Sequence, residues 1–186
     1  MKHSELFILR HGETSWNLQG KFQGRQDSPL TEKGIAQALR QKTLLASIYD
    51  LPSRRFCSPQ GRALHTARLA LDSETDLTQD NRLQEIDFGK WEGVTRDDIR
   101  SQIDYPFESG LWNFRSPQGE DFEAISGRVK SFLDDLDSPA VIVTHGTTSI
   151  VMRGLCMGLT QDEILKLPKD QGCIYHVSNG VEKVLR

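Results

Sequence analysis

The sequence predicts a single domain of the α/β class, in which helices cover a β-sheet in layers. Short apolar segments typical of strands alternate along the chain with segments of helical periodicity. The 186 residues fit one domain of ordinary size, and the sequence contains no repeat or low-complexity tract. Two of the strand-like segments end in a His-Gly pair, and ligands of layered α/β folds gather where strands end.

The N-terminal part predicts a strand, a loop and a helix. Glu5–Leu9 reads ELFIL, an apolar run that predicts a strand, and the composition turns polar from Arg10 onward. Thr31 precedes apolar residues at helical spacing that continue to Leu45. Because threonine is a favoured N-cap residue, we expect a helix that starts at Thr31.

The next segment predicts a second strand and a second helix. Arg55–Cys57 is a weak strand signal. Ser58 then precedes Pro59, as a capping residue precedes proline at the first helical position, so we expect a helix from Pro59 to about Leu71. Residues 72–81 are polar and indicate a turn.

Residues 95–119 differ from the rest of the chain in composition. They contain two prolines, two glycines and four aromatic residues, without a steady periodicity. We interpret this stretch as an insertion that covers a functional site.

The segment after the insertion predicts a helix, a buried strand and another helix. Apolar residues recur at intervals of three and four in Phe122–Leu136, which predicts an amphipathic helix. Ala140–Val143 is wholly apolar and typical of a central buried strand. We expect a further helix from about Thr147 to Met157, with Gly158 as its C-terminal cap.

The C-terminus predicts a hairpin. Cys173–Ser178 and Val181–Leu185 are strand-like segments separated by Asn179-Gly180. An Asn-Gly pair supplies the positive φ angles of a type I′ turn, which joins antiparallel strands.

Composition argues against several classes of function. The chain has 23 Lys and Arg against 26 Asp and Glu, a net charge of -3, so we expect no nucleic-acid partner. The longest apolar runs, such as Leu6–Leu9, are far shorter than the ~20 residues of a spanning helix, so we expect no membrane segment. The three cysteines lack the spacing of metal ligands and indicate reduced thiols: Cys57, Cys156 and Cys173. The N-terminus lacks the features of a signal peptide. We therefore expect a cytoplasmic protein.

Two histidines are expected at the same edge of the sheet. His11 follows the first strand and His145 follows the buried strand, and a glycine comes after each. Glycine lets a ligand approach the backbone closely, and Arg10 next to His11 is a candidate group for binding an anion. A metal bound by both histidines and a carboxylate is an alternative, although the neighbouring arginines would repel a cation.

The sequence resembles the histidine phosphatase superfamily, whose fold is that of the phosphoglycerate mutase-like proteins. RHGETSWN at Arg10–Asn17 resembles the family signature. Further segments resemble later family blocks in the same order: Gln23–Gly34, Ser58–Ala67, Glu85–Gly93 and His145-Gly146. The resemblance implies a three-layer α/β/α sandwich with a mixed, mainly parallel sheet and a helical insertion, here about residues 95–119, over the pocket.

The resemblance also implies catalytic roles. His11 would be the nucleophile, because a neutral imidazole nitrogen can attack phosphorus and form a phosphohistidine. Arg10 and Arg62 would clamp the phosphoryl oxygens, which planar guanidinium groups match in a bidentate manner. His145 would donate a further hydrogen bond to these oxygens.

Glu85 would protonate the leaving-group oxygen and later accept a proton from water. Asp87, Glu92 and Glu13 compete for this role, and only the family position favours Glu85.

Weaker implications concern substrate binding. Asn17, Gly24 and Gly146 would contact the phosphate or line the pocket. The resemblance implies no metal and no other cofactor.

The expected activity is hydrolysis of small-molecule phosphate monoesters, as in the small bacterial phosphatases that the sequence resembles. Phosphoglycerate mutases, which move a phosphoryl group between hydroxyls, are the alternative. The chain is short compared with the mutases of this family, which have extra segments. Gly24-Arg25 also stands where mutases usually have Gly-Trp. A non-catalytic phosphate-binding module is the third interpretation, but it does not explain why all the implied catalytic groups are present.

Overall fold

A six-stranded mixed sheet forms the centre of the protein. The computed structural model describes residues 5–71, 76–102 and 110–186. The strands are β1 (Leu6–Arg10), β2 (Arg54–Cys57), β3 (Leu77–Gln79), β4 (Ala140–Thr144), β5 (Ile174–Ser178) and β6 (Val181–Leu185). Their order across the sheet is β3-β2-β4-β1-β5-β6. The strands β1–β4 are parallel to one another. Strand β5 pairs antiparallel with β1, and β6 pairs antiparallel with β5, so the predicted mixed, mainly parallel sheet is confirmed.

Helices cover both faces of this sheet. They are α1 (Ser15–Leu18), α2 (Glu32–Ala46), α3 (Gly61–Leu71), α4 (Arg96–Arg100), α5 (Phe122–Asp134), α6 (Gly146–Met157) and α7 (Gln161–Leu165). Short 3-10 helices occur at Asn81–Leu83, Gly89–Trp91 and Leu111–Phe114. The apolar sides of α2 and α3 share one core with the sheet, and those of α5 and α6 share the other. The three-layer α/β/α sandwich is therefore confirmed.

Alternation along β1 divides the two cores. Leu6 and Ile8 belong to the core under α5 and α6, whereas Phe7 and Leu9 belong to the core under α2 and α3. Successive side chains of a strand point to opposite faces, so an uninterrupted apolar run is the pattern required of a strand covered on both sides.

The register of β1 and β4 brings their ends together. The two strands pair directly and in parallel, from Leu6 opposite Ala140 to Arg10 opposite Thr144. The pairing continues one residue further, because the backbone N–H of His11 donates to the Thr144 carbonyl at 3.0 Å. The residues that follow both strands therefore emerge side by side.

Several predicted caps and turns are confirmed. The Thr31 side chain accepts a hydrogen bond from the backbone of Gly34 at the start of α2. Gly158 ends α6 with φ of 69°. Asn179 and Gly180 have φ of 51° and 75°, as the predicted hairpin turn between β5 and β6 requires.

The predicted start of α3 is wrong by two residues. The helix begins at Gly61 rather than Pro59, and its N-terminus is capped from outside. Asp27 accepts a hydrogen bond from the backbone of Arg62 at 3.1 Å, whereas the Ser58 hydroxyl contacts the ring of His145 at 2.7 Å. Ser58 therefore contributes to the site, and its hydroxyl also makes the expected capping contact, a long hydrogen bond of 3.4 Å from the backbone N–H of Gln60.

The strand β3 was not predicted, because it lies in the polar stretch interpreted as a turn. Its three side chains are partly or fully exposed, and it pairs only with β2 at the edge of the sheet. Backbone pairing without burial leaves no apolar pattern in the sequence. Residues 103–109 of the predicted insertion lie outside the described residues.

A membrane span requires a helix that is both long and apolar. In the described part of the chain, no helix combines the necessary length with the necessary apolar character.

The backbone of the loop after β1 packs directly against the backbone at the start of α2, at Gly12 and Gly34. A β-carbon on Gly34 would lie 2.0 Å from the carbonyl oxygen of Glu13, and one on Gly12 would lie 2.2 Å from that of Gly34. Only glycine at these two positions allows the start of α2 to lie this close to the loop after β1.

We predict that Gly34→Ala destabilises the protein by about 1–3 kcal/mol, because the methyl group must push α2 away from the loop. Gly127→Ala is the matched control, since Gly127 is an exposed glycine inside α5 with no atom near its would-be β-carbon. That change is expected to stabilise the helix by about 0.5–1 kcal/mol. Urea unfolding of both variants measures the difference, and equal free energies of unfolding would contradict the prediction.

Candidate active site

The candidate active site lies where β1 and β4 end. His11 and His145 are both buried, and their ring centroids are 5.1 Å apart. The predicted convergence of the two His-Gly pairs is thus present in the structure.

The ring of His11 is held in one neutral tautomer. Nδ1 lies 2.8 Å from the carbonyl oxygen of Gly12, which can only accept, so Nδ1 carries the hydrogen and Nε2 keeps its lone pair. Arg62 donates from Nε to this lone pair at 3.3 Å. Burial, together with the positive charges of Arg62 and Arg10, holds the pKa of His11 well below its usual value. The unprotonated Nε2 is the nitrogen that a nucleophilic role requires.

Arg62 extends from the first turn of α3 and is almost completely buried. Its guanidinium donates to the carbonyl oxygens of Gln26 at 2.7 Å and Gly24 at 2.9 Å. It also forms an ion pair with Asp27 at 3.0 Å. The loop before α2 therefore fixes this arginine next to His11.

Gly24 acts through its backbone. It has φ of +53°, and a β-carbon there would lie 2.0 Å from Oε1 of Glu92. Its carbonyl accepts from Arg62 and also from Nε2 of Gln60 at 2.7 Å. It lines the cavity as the resemblance implied, and it orients Arg62 as well.

Two buried nitrogen atoms at the site have no hydrogen-bond partner among the described residues. Nε of Arg10 and Nδ1 of His145 make no hydrogen bond within the described residues, and buried donors are normally paired. His145 uses its other ring nitrogen for the Ser58 hydroxyl, 2.7 Å away. Burial, with Arg62 nearby, holds the pKa of His145 well below its usual value. An anion bound beside His11 would satisfy such donors.

His145 does not line the cavity itself, unlike Arg10, His11 and Arg62. Its ring is fully buried behind that of His11. Nδ1 is the ring nitrogen without a partner among the described residues, and it carries a hydrogen when Nε2 accepts from the Ser58 hydroxyl.

Glu85 is held by the start of α6. Its carboxylate accepts from the backbone N–H groups of Thr147 and Thr148, each at 3.1 Å, and from that of Ile86 at 3.0 Å. Gly146 separates Glu85 from Arg10, since a β-carbon on Gly146 would lie 3.4 Å from Nε of Arg10 and 3.6 Å from Oε2 of Glu85. The carboxylate, Arg10 and His11 border one cavity.

The competing carboxylates are engaged elsewhere, and none of them lines this cavity. Asp87 accepts from the backbone of Gly89 at 2.7 Å. Glu92 accepts from the backbone of Arg25 at 2.6 Å, and Glu13 pairs with Lys33 at 2.9 Å.

Asn17 lines the cavity from α1. Its Oδ1 accepts from the backbone of Thr14 and from Nε2 of Gln171, each at 3.3 Å. The Nδ2 amino group is the donor that remains for a ligand.

Two positioning residues were missed in the sequence. Asp27 pairs with Arg62, and Gln60 connects Gly24 to the backbone N–H of Glu85, which donates to its Oε1 at 2.8 Å. Both lie inside segments that resemble family blocks, which was the only signal available, because an isolated Asp or Gln has no distinctive pattern.

The cavity has a volume of about 400 Å³, more than a phosphoryl group alone requires. Its wall also includes residues for which the sequence implied no individual role: Lys21, Phe22, Gln23, Phe88, Arg96, Trp112, Asn113, Lys169 and Asp170. Within the described ranges, no three His, Cys, Asp or Glu side chains are grouped so as to hold a metal ion.

We predict that His11 and His145 stay neutral when the pH is lowered from 7 to 5.5, because the pKa of each is held well below 6.5. Nitrogen NMR of the histidine-labelled protein measures this directly, with free histidine in the same buffer as the control. A His11 resonance that titrates with a midpoint near 6.5 would contradict the prediction.

Known proteins resemble this chain over nearly its whole length. Residues 6–183 match the family model of the histidine phosphatase superfamily (branch 1). Adenosylcobalamin/alpha-ribazole phosphatase of Escherichia coli (strain K12) is 34% identical over 179 residues, which cover 90% of this chain and 86% of that protein. A protein of Enterobacter sp. (strain 638) named "Probable phosphoglycerate mutase GpmB" is 32% identical over 169 residues, 88% of this chain and 76% of that one. The crystal structure of the alpha-ribazole phosphatase from Shigella flexneri has a TM-score of 0.80 at 29% identity and covers 98% of this chain and 94% of its own.

Proposed function

The chain belongs to branch 1 of the histidine phosphatase superfamily and is a phosphatase, and we propose that it hydrolyses small phosphate monoesters through a phosphohistidine on His11. The observation that carries this proposal is the His11 ring, whose Nδ1 contacts the Gly12 carbonyl while Nε2 keeps its lone pair beside Arg62. Arg10 and Arg62 would neutralise the phosphoryl group. We therefore propose a reaction that needs no metal.

In the first step, the lone pair on Nε2 attacks phosphorus and the bond between phosphorus and the leaving oxygen breaks. The protonated form of Glu85 gives its proton to that oxygen, so the product leaves as an alcohol. The ring gains positive charge as Nε2 is phosphorylated. The Gly12 carbonyl, which accepts from Nδ1–H, stabilises this charge.

In the second step, water attacks phosphorus while the Glu85 carboxylate accepts a proton from the water. The bond between phosphorus and Nε2 breaks, its electron pair returns to the ring, and inorganic phosphate leaves. The backbone N–H groups at the start of α6 support this role, because they hold the carboxylate in one orientation.

Hydrolysis and mutase activity share the first step and differ in the acceptor of the phosphoryl group. The relative named as a phosphoglycerate mutase makes transfer to a second hydroxyl the competing function. We favour water as the acceptor, because the chain is compact and carries Gly24-Arg25. A binding module without catalysis would not need a nucleophilic nitrogen held beside two arginines.

The domain organisation and the cellular setting stay predictions. We propose that residues 1–186 form one domain in which the insertion at 95–119 borders the substrate, since Arg96, Trp112 and Asn113 line the cavity. The cytoplasmic location and the lack of a nucleic-acid partner rest on composition alone.

His11→Ala is expected to reduce hydrolysis of nitrophenyl phosphate by about 10³-fold or more, because the variant lacks the nucleophile. The assay is carried out in excess chelator, and brief incubation of the wild type with labelled substrate should give an acid-labile, base-stable phosphoprotein. Release of phosphate and transfer to an added alcohol are followed together.

His65→Ala is the matched control, because His65 is an exposed histidine on α3 outside the cavity. Full activity in His11→Ala would reject the nucleophile, and loss of wild-type activity in chelator would reject the metal-free reaction. Transfer to an alcohol as the main reaction would favour the mutase.

Glu85→Gln is expected to slow phosphorylation by alkyl phosphates about 10²–10⁴-fold, the usual contribution of a general acid. Nitrophenyl phosphate should be affected much less, because nitrophenolate leaves without a proton. The glutamine amino group would face backbone donors of α6, so the pocket itself changes. Comparing two leaving groups in one variant by burst kinetics cancels that change, and equal losses would reject Glu85 as the proton donor.

A further inference from the structure

Three cations of the cavity wall lie outside the proposed phosphoryl clamp. They are Lys21, Arg96 and Lys169. In the part of the chain that the structure describes, none of them forms an ion pair. The acids of the wall are Glu85 and Asp170, and Asp170 pairs with Arg186 at 2.8 Å. The wall therefore carries more positive charge than Arg10 and Arg62 supply.

Two arginines hold the backbone around Lys169. Arg10 donates to the carbonyl of Lys169, and Arg153 donates to that of Pro168. Arg153 is itself held by a buried ion pair with Glu182 at 2.8 Å. A surface lysine needs no such anchoring.

The two residues after Lys169 are anchored as well. The backbone N–H of Asp170 donates to the Tyr175 hydroxyl at 2.7 Å. Nε2 of Gln171 donates to the His11 carbonyl at 3.0 Å. The segment 168–171 is thus joined to the loop after β1. Among the residues that the structure describes, the Lys169 ammonium group has no hydrogen-bond or ion-pair partner.

The surroundings of the Lys169 ammonium are unfavourable for a positive charge. Burial, opposed by Glu85 and reinforced by Arg10 and Arg96, lowers the pKa of Lys169 to about 8. A bound anion would compensate for this burial and repulsion.

Arg96 and Lys21 come from two segments that are paired with each other. The backbone N–H of Arg96 donates to the Gly20 carbonyl at 3.0 Å, and Lys21 forms a β-bridge with Thr95. The Arg96 guanidinium lies 5.6 Å from the centre of the Phe22 ring. The aromatic ring supports this cation from one side and leaves its N–H donors for a ligand.

We propose that the preferred substrates are phosphate monoesters whose alcohol carries a second anionic group, a carboxylate or another phosphate, and that Lys169 and Arg96 bind this group. The inference rests on the proposed function, because it requires the reacting phosphoryl group at His11. Aromatic residues of the insertion do not oppose an anionic substrate. Trp112 lines the wall, but it packs edge-on against Phe22.

Matched pairs of substrates test the proposal. Phosphoserine and phosphoethanolamine differ by one carboxylate, and glycerol bisphosphate and glycerol phosphate differ by one phosphate. We expect wild-type kcat/KM to be at least ~10-fold higher for the anionic member of one pair or both. The pair with the larger ratio identifies the group that is recognised.

Lys169→Gln should reduce this ratio by about 10- to 100-fold, the effect of losing one charge-assisted hydrogen bond. The readout is the ratio, so a variant with lower overall activity is still informative. Lys169→Arg should keep most of the preference. Lys166→Gln is the matched control, because Lys166 is an exposed lysine of the same region that does not line the cavity.

Equal kcat/KM within both pairs in the wild type would overturn the proposal. An equal loss on both members in Lys169→Gln would overturn it too, since the lysine would then serve the phosphoryl group or the fold. The proposed function is judged separately by nitrophenyl phosphate turnover and its loss in His11→Ala, so either idea can fail alone.

Discussion

The site depends on the parallel pairing of β1 with β4. Their register sets Arg10 opposite Thr144 and extends to the backbone hydrogen bond from His11. The strand pairing alone therefore places the His11 and His145 rings next to each other. Both strands are covered by helices on either face, which prevents them from sliding: a shift of one residue would turn each apolar side chain toward the wrong layer. The sandwich thus determines where the chemistry occurs.

Positive charge is concentrated around His11, and backbone carbonyls hold it there. Gly24, Gln26 and Lys169 each direct a carbonyl oxygen at a guanidinium group of the site. Neutral acceptors orient an arginine while cancelling little of its charge, and only Arg62 of the two arginines involved also forms an ion pair, with Asp27, among the described residues. Much of the positive field therefore stays available to an anion. The same field, with burial, keeps the His11 ring unprotonated. One arrangement therefore favours both the anionic substrate and the neutral nucleophile.

The sequence predicted the layers, the caps and the convergence of the histidines, because each depends on local periodicity or on where an apolar run ends. It did not predict β3, whose residues are exposed, or the first residue of α3, which Asp27 caps from a distant segment. Lys169 also gave no signal in the sequence. Its place in the cavity results from hydrogen bonds to Arg10 and Arg153, and contacts between remote segments have no periodicity to detect.

The pairing of β1 with β4 has a consequence for synthesis on the ribosome. The loop that carries His11 is synthesised before β4, the strand that completes its surroundings. Until β4 and the β5–β6 hairpin emerge, the apolar β1 has no partner on either edge, a state in which strands associate with other chains. A chain translated only as far as β3 therefore lacks both partners of β1, so we expect factors that bind exposed apolar strands to affect the yield of the protein more than changes in its active site do.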